Sequence, residues 1–94
     1  MKLAFIGTGK IIADALFAIE PIKEIEKTAI FARPHSKEKA EAFAKQYNIA
    51  EVYTDYEKLL TETAADTVYI GLINSAHYSY AKQALLHGKN VILE

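Results

Sequence analysis

The sequence predicts an α/β domain: a Rossmann-type, doubly wound parallel sheet of five strands in the order 3-2-1-4-5, with helices on both faces. Two observations carry that expectation. Short apolar runs alternate with stretches of helical spacing along the whole chain, the pattern of strands joined by crossover helices. The runs themselves are apolar enough for strands covered on both faces. Right-handed crossovers then leave few topologies, of which 3-2-1-4-5 is the expected one.

The elements follow in order. Residues 3–6 form a short apolar run stopped by Gly7, hence a buried first strand. Residues 11–20 read as a helix ended by Pro21, which cannot continue one. Residues 28–32 make a second run, broken by Arg33, Pro34 and His35. Ser36 suits an N-cap, because a hydroxyl can accept an orphan backbone N–H. Ala40, Phe43, Ala44 and Tyr47 follow at helical spacing, which leaves Lys37, Glu38, Lys39, Glu41 and Lys45 mostly outward. Val52 and Tyr53 are a minimal third strand. Thr54 and Glu57 fit a capping box ahead of a face made by Tyr56, Leu59 and Leu60. Residues 67–72 are a fourth, β-prone run. Asn74 or Ser75 is expected to cap the next helix, with Tyr80, Ala81, Ala84 and Leu85 inward and Gly88 as its left-handed stop. Residues 90–93 make the last strand. Five strands is short of the six in a complete dinucleotide fold, so a piece of a longer chain is expected.

Composition narrows the function. The chain has 94 residues, enough for one domain or part of one. A net charge of −1, with both signs mixed, gives no bulk attraction to nucleic acid or an anionic membrane. The absence of cysteine removes disulfides and thiolate chemistry. The opening apolar run is too short for a signal peptide, and no run approaches a membrane span, so a cytoplasmic location is expected. No spacing of residues suggests a metal site, a nucleophile–base pair or paired carboxylates.

The stretch FIGTGKIIADAL, residues 5–16, carries the chemistry. In a dinucleotide fold the first glycine permits a tight turn, the second lets the backbone approach the pyrophosphate, and the third lets helix and strand pack closely. Gly7 and Gly9 fill the first two places after a strand. Ile12 fills the third, with the small Ala13 behind it. A diphosphate would sit on the N–H groups around Thr8, Gly9, Lys10 and Ile11, at the positive end of the first helix. A bulky third residue affects packing more than phosphate contact. A strand–turn–helix with two glycines also occurs without any ligand, so the motif alone leaves that possibility open.

The end of the second strand bears on the cofactor. A site for NAD usually holds the ribose hydroxyl with Asp or Glu here, whereas a site for NADP tends to present arginine. This chain has Ala32 and Arg33 and no carboxylate. A guanidinium can stack on adenine and pair with a phosphate, so NADP is favoured over NAD. His35 and Lys37 are read as surface residues. His87 falls near a helix C-terminus, where a cation is favoured by roughly 0.3–1 kcal/mol. Tyr69, Tyr78 and Tyr80 are expected in core or interface packing.

Beyond these residues the chain resembles the N-terminal domain of the Gfo/Idh/MocA oxidoreductases, the glucose–fructose oxidoreductase and inositol dehydrogenase group. The resemblance runs from Gly7-x-Gly9-x-Ile11 through Arg33, the SKEKAEAFA segment at 36–44 and YTDYEKLL at 53–60. It ends with Ala84, Leu85, the GKNV segment at 88–91 and Glu94. The family pattern after the fourth strand is Pro-Asn-x-x-His. Asn74 and His77 match it, and Ile73 replaces the proline. The resemblance implies that Leu72, Ile73, Asn74 and His77 line the nicotinamide end of a bound dinucleotide. It implies that Glu94 opens the family's Glu-Lys-Pro motif, so that the lysine assisting proton transfer would be the next residue. It further implies a second domain holding the small-molecule substrate, and a homo-oligomer at full length.

The expected function is therefore the cofactor half of an NAD(P)-dependent oxidoreductase acting on sugars, polyols or related carbonyl compounds by hydride transfer. This stretch by itself would bind dinucleotide weakly, if at all, and turn over no substrate. A non-catalytic NAD(P)-binding sensor, or a domain for another adenosine ligand, remains the alternative.

Overall fold

The computed structural model describes residues 1–72 and 74–93, and at 74–77 the backbone alone. Five strands, β1 (Lys2–Ile6), β2 (Glu26–Phe31), β3 (Glu51–Tyr53), β4 (Thr67–Ile70) and β5 (Asn90–Leu93), alternate with four helices. These are α1 (Lys10–Ile19), α2 (Lys37–Tyr47), α3 (Tyr56–Glu62) and α4 (Asn74–Leu86), and a 3-10 turn, Pro34–Ser36, precedes α2. The sheet order is β3-β2-β1-β4-β5, and every pairing is parallel. The expected topology is the observed one.

Strand period two, with both faces covered, explains why β1 is apolar from Leu3 to Ile6. Leu3 and Phe5 point to one face, where α1 and α2 bring Ile12, Leu16 and Ala40. Ala4 and Ile6 point to the other, where α3 and α4 bring Tyr56, Leu59, Leu60 and Ala84. Both faces are covered, so no polar alternation survives in the sequence. On the α3–α4 face three rings interlock: Phe31 lies 5.5 Å from Tyr56 and 5.8 Å from Tyr80, and the two tyrosines are 4.5 Å apart, centre to centre. The Tyr56 hydroxyl donates to the Tyr80 carbonyl at 2.8 Å, tying α3 to α4. Burial pushes its phenol well above the usual tyrosine range.

Several expectations are corrected at element ends. Ser36 makes no side-chain cap, because the 3-10 turn ahead of α2 carries the chain straight into the helix. The cap of α3 is Asp55, whose carboxylate accepts the Lys58 N–H at 3.2 Å, and not Thr54 one residue earlier. β4 stops at Ile70 and not at residue 72, since the chain bends at Leu72. Leu85 faces outward, 62 % exposed, and so does Tyr78 at 76 %. The inner face of α4 is Tyr80, Ala81 and Ala84. Gly88 does end that helix in the left-handed region, at φ +76°. His87 places Nδ1 2.9 Å from the Gln83 carbonyl oxygen in the last turn. The expected caps at Asn74 and Ser75 lie outside the described side chains.

Candidate cofactor site

The site lies where β1 and β4 run out. β1 is hydrogen-bonded to β2 on one side and β4 on the other, and the helices that follow β1 and β4 leave for opposite faces. Such a switch point opens a crevice beyond the carboxyl ends of the strands.

Gly7 turns the chain out of β1. Its φ is +120°, a region that side chains rarely adopt, and its N–H donates to the Phe31 carbonyl at 2.9 Å. A Cβ there would stand 3.0 Å from the Gly71 carbonyl oxygen and 3.1 Å from Leu72 Cδ2. Gly9 is different. Its backbone is ordinary, φ −83° and ψ −169°, and a Cβ would meet nothing within 4 Å. The fold itself requires glycine at 7. Nothing in the packing of the chain requires it at 9.

Gly9 stands at the N-cap of α1, where it offers no side-chain acceptor, and the first turn of α1 holds no acidic residue. Among the described residues, no acceptor takes the N–H of Thr8, Gly9, Lys10 or Ile11. Four donors thus converge at the positive end of a helix, an arrangement that suits an anion. Ile12 does not obstruct them. It is fully buried and its side chain faces Gly71, where an added Cβ would lie 2.7 Å from Ile12 Cδ1 and 2.9 Å from Cγ1.

Two clefts meet over this turn. One, of about 210 Å³, runs from Gly7, Thr8 and Gly9 to Ala32, Arg33, His35 and Ser36 at the end of β2. The other, of about 280 Å³, is mostly apolar and is walled by Lys10, Ile11 and Leu72. They share Gly9, Gly71 and Leu72, so Gly9 and Gly71 form a low saddle between them. Among the described residues, no carboxylate lines either cleft.

The first cleft brings Arg33 to the strand end that the sequence indicated. Arg33 is exposed and forms no ion pair among the described residues. Ser36, half-buried beside it, has a hydroxyl with no hydrogen-bond partner among the described residues. Lys37 instead turns along its own helix, its ammonium 4.0 Å from the Glu41 carboxylate. Lys10 is likewise engaged, 2.8 Å from Asp14, whose hydrogen bond and charge hold its ammonium above the ordinary lysine range.

Sequence reasoning missed Gly71 and Ser36 as cleft residues and set His35 aside as surface. The signals were there: a glycine stopping the fourth apolar run, and a short polar stretch directly after Arg33. Ile73, Glu94 and the side chains of Asn74 and His77 lie outside the described residues. Among the described residues, no cluster of His, Asp and Glu could hold a metal ion, and no helix is long and apolar enough to cross a membrane.

Fold and turn together define a nucleotide-binding α/β domain. The profile of the Gfo/Idh/MocA family, an oxidoreductase family with an NAD-binding Rossmann fold, matches residues 1–94. The chain belongs to that family and is its NAD(P)-binding domain. It is 30 % identical over 93 residues to a trans-1,2-dihydrobenzene-1,2-diol dehydrogenase of Xenopus laevis, covering 99 % of this chain and 28 % of that protein. It is 31 % identical over 94 residues to D-xylose 1-dehydrogenase (NADP(+)) 2 of Haloferax volcanii, covering 100 % and 28 %. A crystal structure of a 3-ketoreductase from Actinomadura kijaniata, in complex with TDP-benzene and NADP, superposes with a TM-score of 0.88 at 30 % identity, covering 99 % of this chain and 29 % of that one. A scyllo-inositol dehydrogenase from Lactobacillus casei, solved with NAD(H) and scyllo-inositol, shares the fold at a TM-score of 0.87 and 21 % identity, covering 99 % and 27 %. The chain spans just over a quarter of the length of these proteins.

Proposed function

We propose that this domain holds NADP(H) across the ends of β1, β2 and β4, as the cofactor half of an oxidoreductase acting on a sugar, polyol or related carbonyl compound. The observation that carries the reading is Gly9. A Cβ there would meet open space at the start of α1, where the N–H groups of residues 8–11 have no acceptor among the described residues, and Gly9 lines both clefts. A side chain at 9 would occupy the ground that a diphosphate needs.

The division of labour follows from the lining. Residues 8–11 take the diphosphate through backbone N–H groups and the dipole of α1. Arg33 and the Ser36 hydroxyl take the adenosine 2′-phosphate, with no carboxylate among the described residues of that cleft to repel it or to prefer a free ribose hydroxyl. The apolar wall of Ile11 and Leu72 receives the nicotinamide half, with Ile73, Asn74, His77 and Glu94 assigned to the same end by the family pattern. The nicotinamide supplies the hydride acceptor or donor. The residues of this chain bind it and orient it. The relatives named for D-xylose with NADP(+) and for a trans-dihydrodiol support both the reaction type and the substrate class.

Calorimetric titration of the intact protein with NADP and with NAD tests this, on the wild type and on Arg33→Ala. Losing a charge-assisted hydrogen bond costs about 1.5–3 kcal/mol, so Arg33→Ala is expected to weaken NADP binding by about 10- to 100-fold and to leave NAD nearly unchanged. A wild type with no preference for NADP would remove the argument from Arg33. A wild type that binds neither dinucleotide would remove the function.

A further inference from the structure

We propose that Gly71 is a positioning residue for the dinucleotide: its bare Cα admits Ile12, and this contact sets how close the N-terminus of α1 stands to the end of β4. The inference rests on the function proposed above.

In a dinucleotide fold a small residue at the third place of the turn lets the helix pack closely. Here Ile12 occupies that place, and yet it is fully buried. The clearance comes from the other side of the contact. A Cβ built on Gly71 would sit 2.7 Å from Ile12 Cδ1, 2.9 Å from Ile12 Cγ1 and 3.3 Å from Ile11 Cγ2. Gly71 has no positive φ to explain it as a turn glycine. Its glycine character therefore belongs to packing, and the pair Ile12–Gly71 inverts the usual large-against-small arrangement of strand and helix.

Gly71 is also bound into the sheet edge. Its N–H donates to the Ile6 carbonyl at 3.0 Å, one residue before the turn. Its own carbonyl oxygen is the atom that a Cβ on Gly7 would strike at 3.0 Å. It lines both clefts. Pushing Ile12 away by one methyl group would thus lift the start of α1, and with it the N–H groups of residues 8–11, relative to β4. The Arg33 end of the first cleft hangs on β2 and would stay where it is. The ligand that feels the change is one that crosses the saddle.

The test compares NADP with adenosine 2′-monophosphate, which carries the 2′-phosphate and no diphosphate. Binding of both and thermal unfolding are measured on the wild type, Gly71→Ala and the double variant Ile12→Ala/Gly71→Ala. Gly71→Ala is expected to weaken NADP by about tenfold or more while adenosine 2′-monophosphate changes by less than about threefold. The double variant restores the clearance, and NADP binding is expected to recover most of that loss. NADP binding by Gly71→Ala at wild-type strength overturns the proposal, and so does an equal loss for both ligands. If Gly71→Ala does not fold, the double variant decides: recovered NADP binding supports the contact, and no recovery overturns it. A wild type that binds adenosine 2′-monophosphate and NADP, with an indifferent Gly71→Ala, sinks this inference alone; a wild type that binds neither sinks the function beneath it.

Discussion

The two ends of the sheet solve opposite problems. At the amino ends of the strands the chain satisfies itself. The Met1 ammonium donates to the Glu24 carbonyl at 3.0 Å, the Lys2 N–H to the Asp66 carboxylate at 3.2 Å, and the Lys89 ammonium to the Ala65 carbonyl at 2.8 Å. Asp66 also receives the Thr67 hydroxyl at 2.7 Å. Side chains close that edge. At the carboxyl ends the chain withholds side chains. Gly7, Gly9 and Gly71 stand where a Cβ would fill space, and the N–H groups of residues 8–11 have no acceptor among the described residues. One end spends its polar groups on stability, and the other leaves them for the ligand proposed above.

The sharpest way to break this comparison is at Gly7, where the backbone conformation itself demands glycine. Gly7→Ala forces a side chain into a strained φ and against the Gly71 carbonyl. A loss of about 1–3 kcal/mol is expected. At roughly 4–8 °C per kcal/mol for a domain of this size, the melting midpoint should fall clearly in a thermal scan. A midpoint equal to the wild type would mean that the turn relaxes freely.

Gly9 should behave in the reverse sense. Serine fits its backbone, improves the N-cap and reduces the freedom of the unfolded chain, so Gly9→Ser is expected to gain about 0.5–1 kcal/mol. The same hydroxyl occupies the anion's place, and NADP affinity is expected to drop by about tenfold or more. Scanning calorimetry and titration on one sample would read both. A stabilised variant with full affinity would show that the ligand, if any, sits elsewhere.

The smallest expected effect lies at the opposite edge. The Thr67 hydroxyl, and then the Lys2 N–H, hold the Asp66 carboxyl below the usual carboxylate range. A depressed carboxyl contributes stability above its unfolded pKa and loses it as pH falls through its folded pKa. Asp66→Asn should therefore be slightly less stable than the wild type at neutral pH, and the gap should close in acid. Urea midpoints across that range would check it. A gap that widens in acid would reverse the assignment, and loss of NADP binding in this variant would mean that the two edges are not independent.

How much of this could be read beforehand varies from residue to residue. The strand–helix alternation, the glycine turn and the arginine at the end of β2 follow from local pattern, because each is written in consecutive residues, and the sheet order follows from that alternation through the handedness of the crossovers. The element ends were less legible. Asp55 and Thr54 are both good caps, and which of them serves depends on where β3 releases the chain. Leu85 has the right spacing for the core, yet Tyr80 and Ala84 already fill the contact with Tyr56 and β2.

The sequence by itself determined the alternation of strands and helices, the buried character of the strands and the place of the turn. Those rest on periodicity and on the backbone preferences of glycine and proline, which act over a few residues. Only the tertiary structure decided that Ile12 is harmless and that Gly71 is its counterpart 59 positions away. A Cβ is excluded by whatever atom happens to lie opposite, and that atom comes from a different part of the chain.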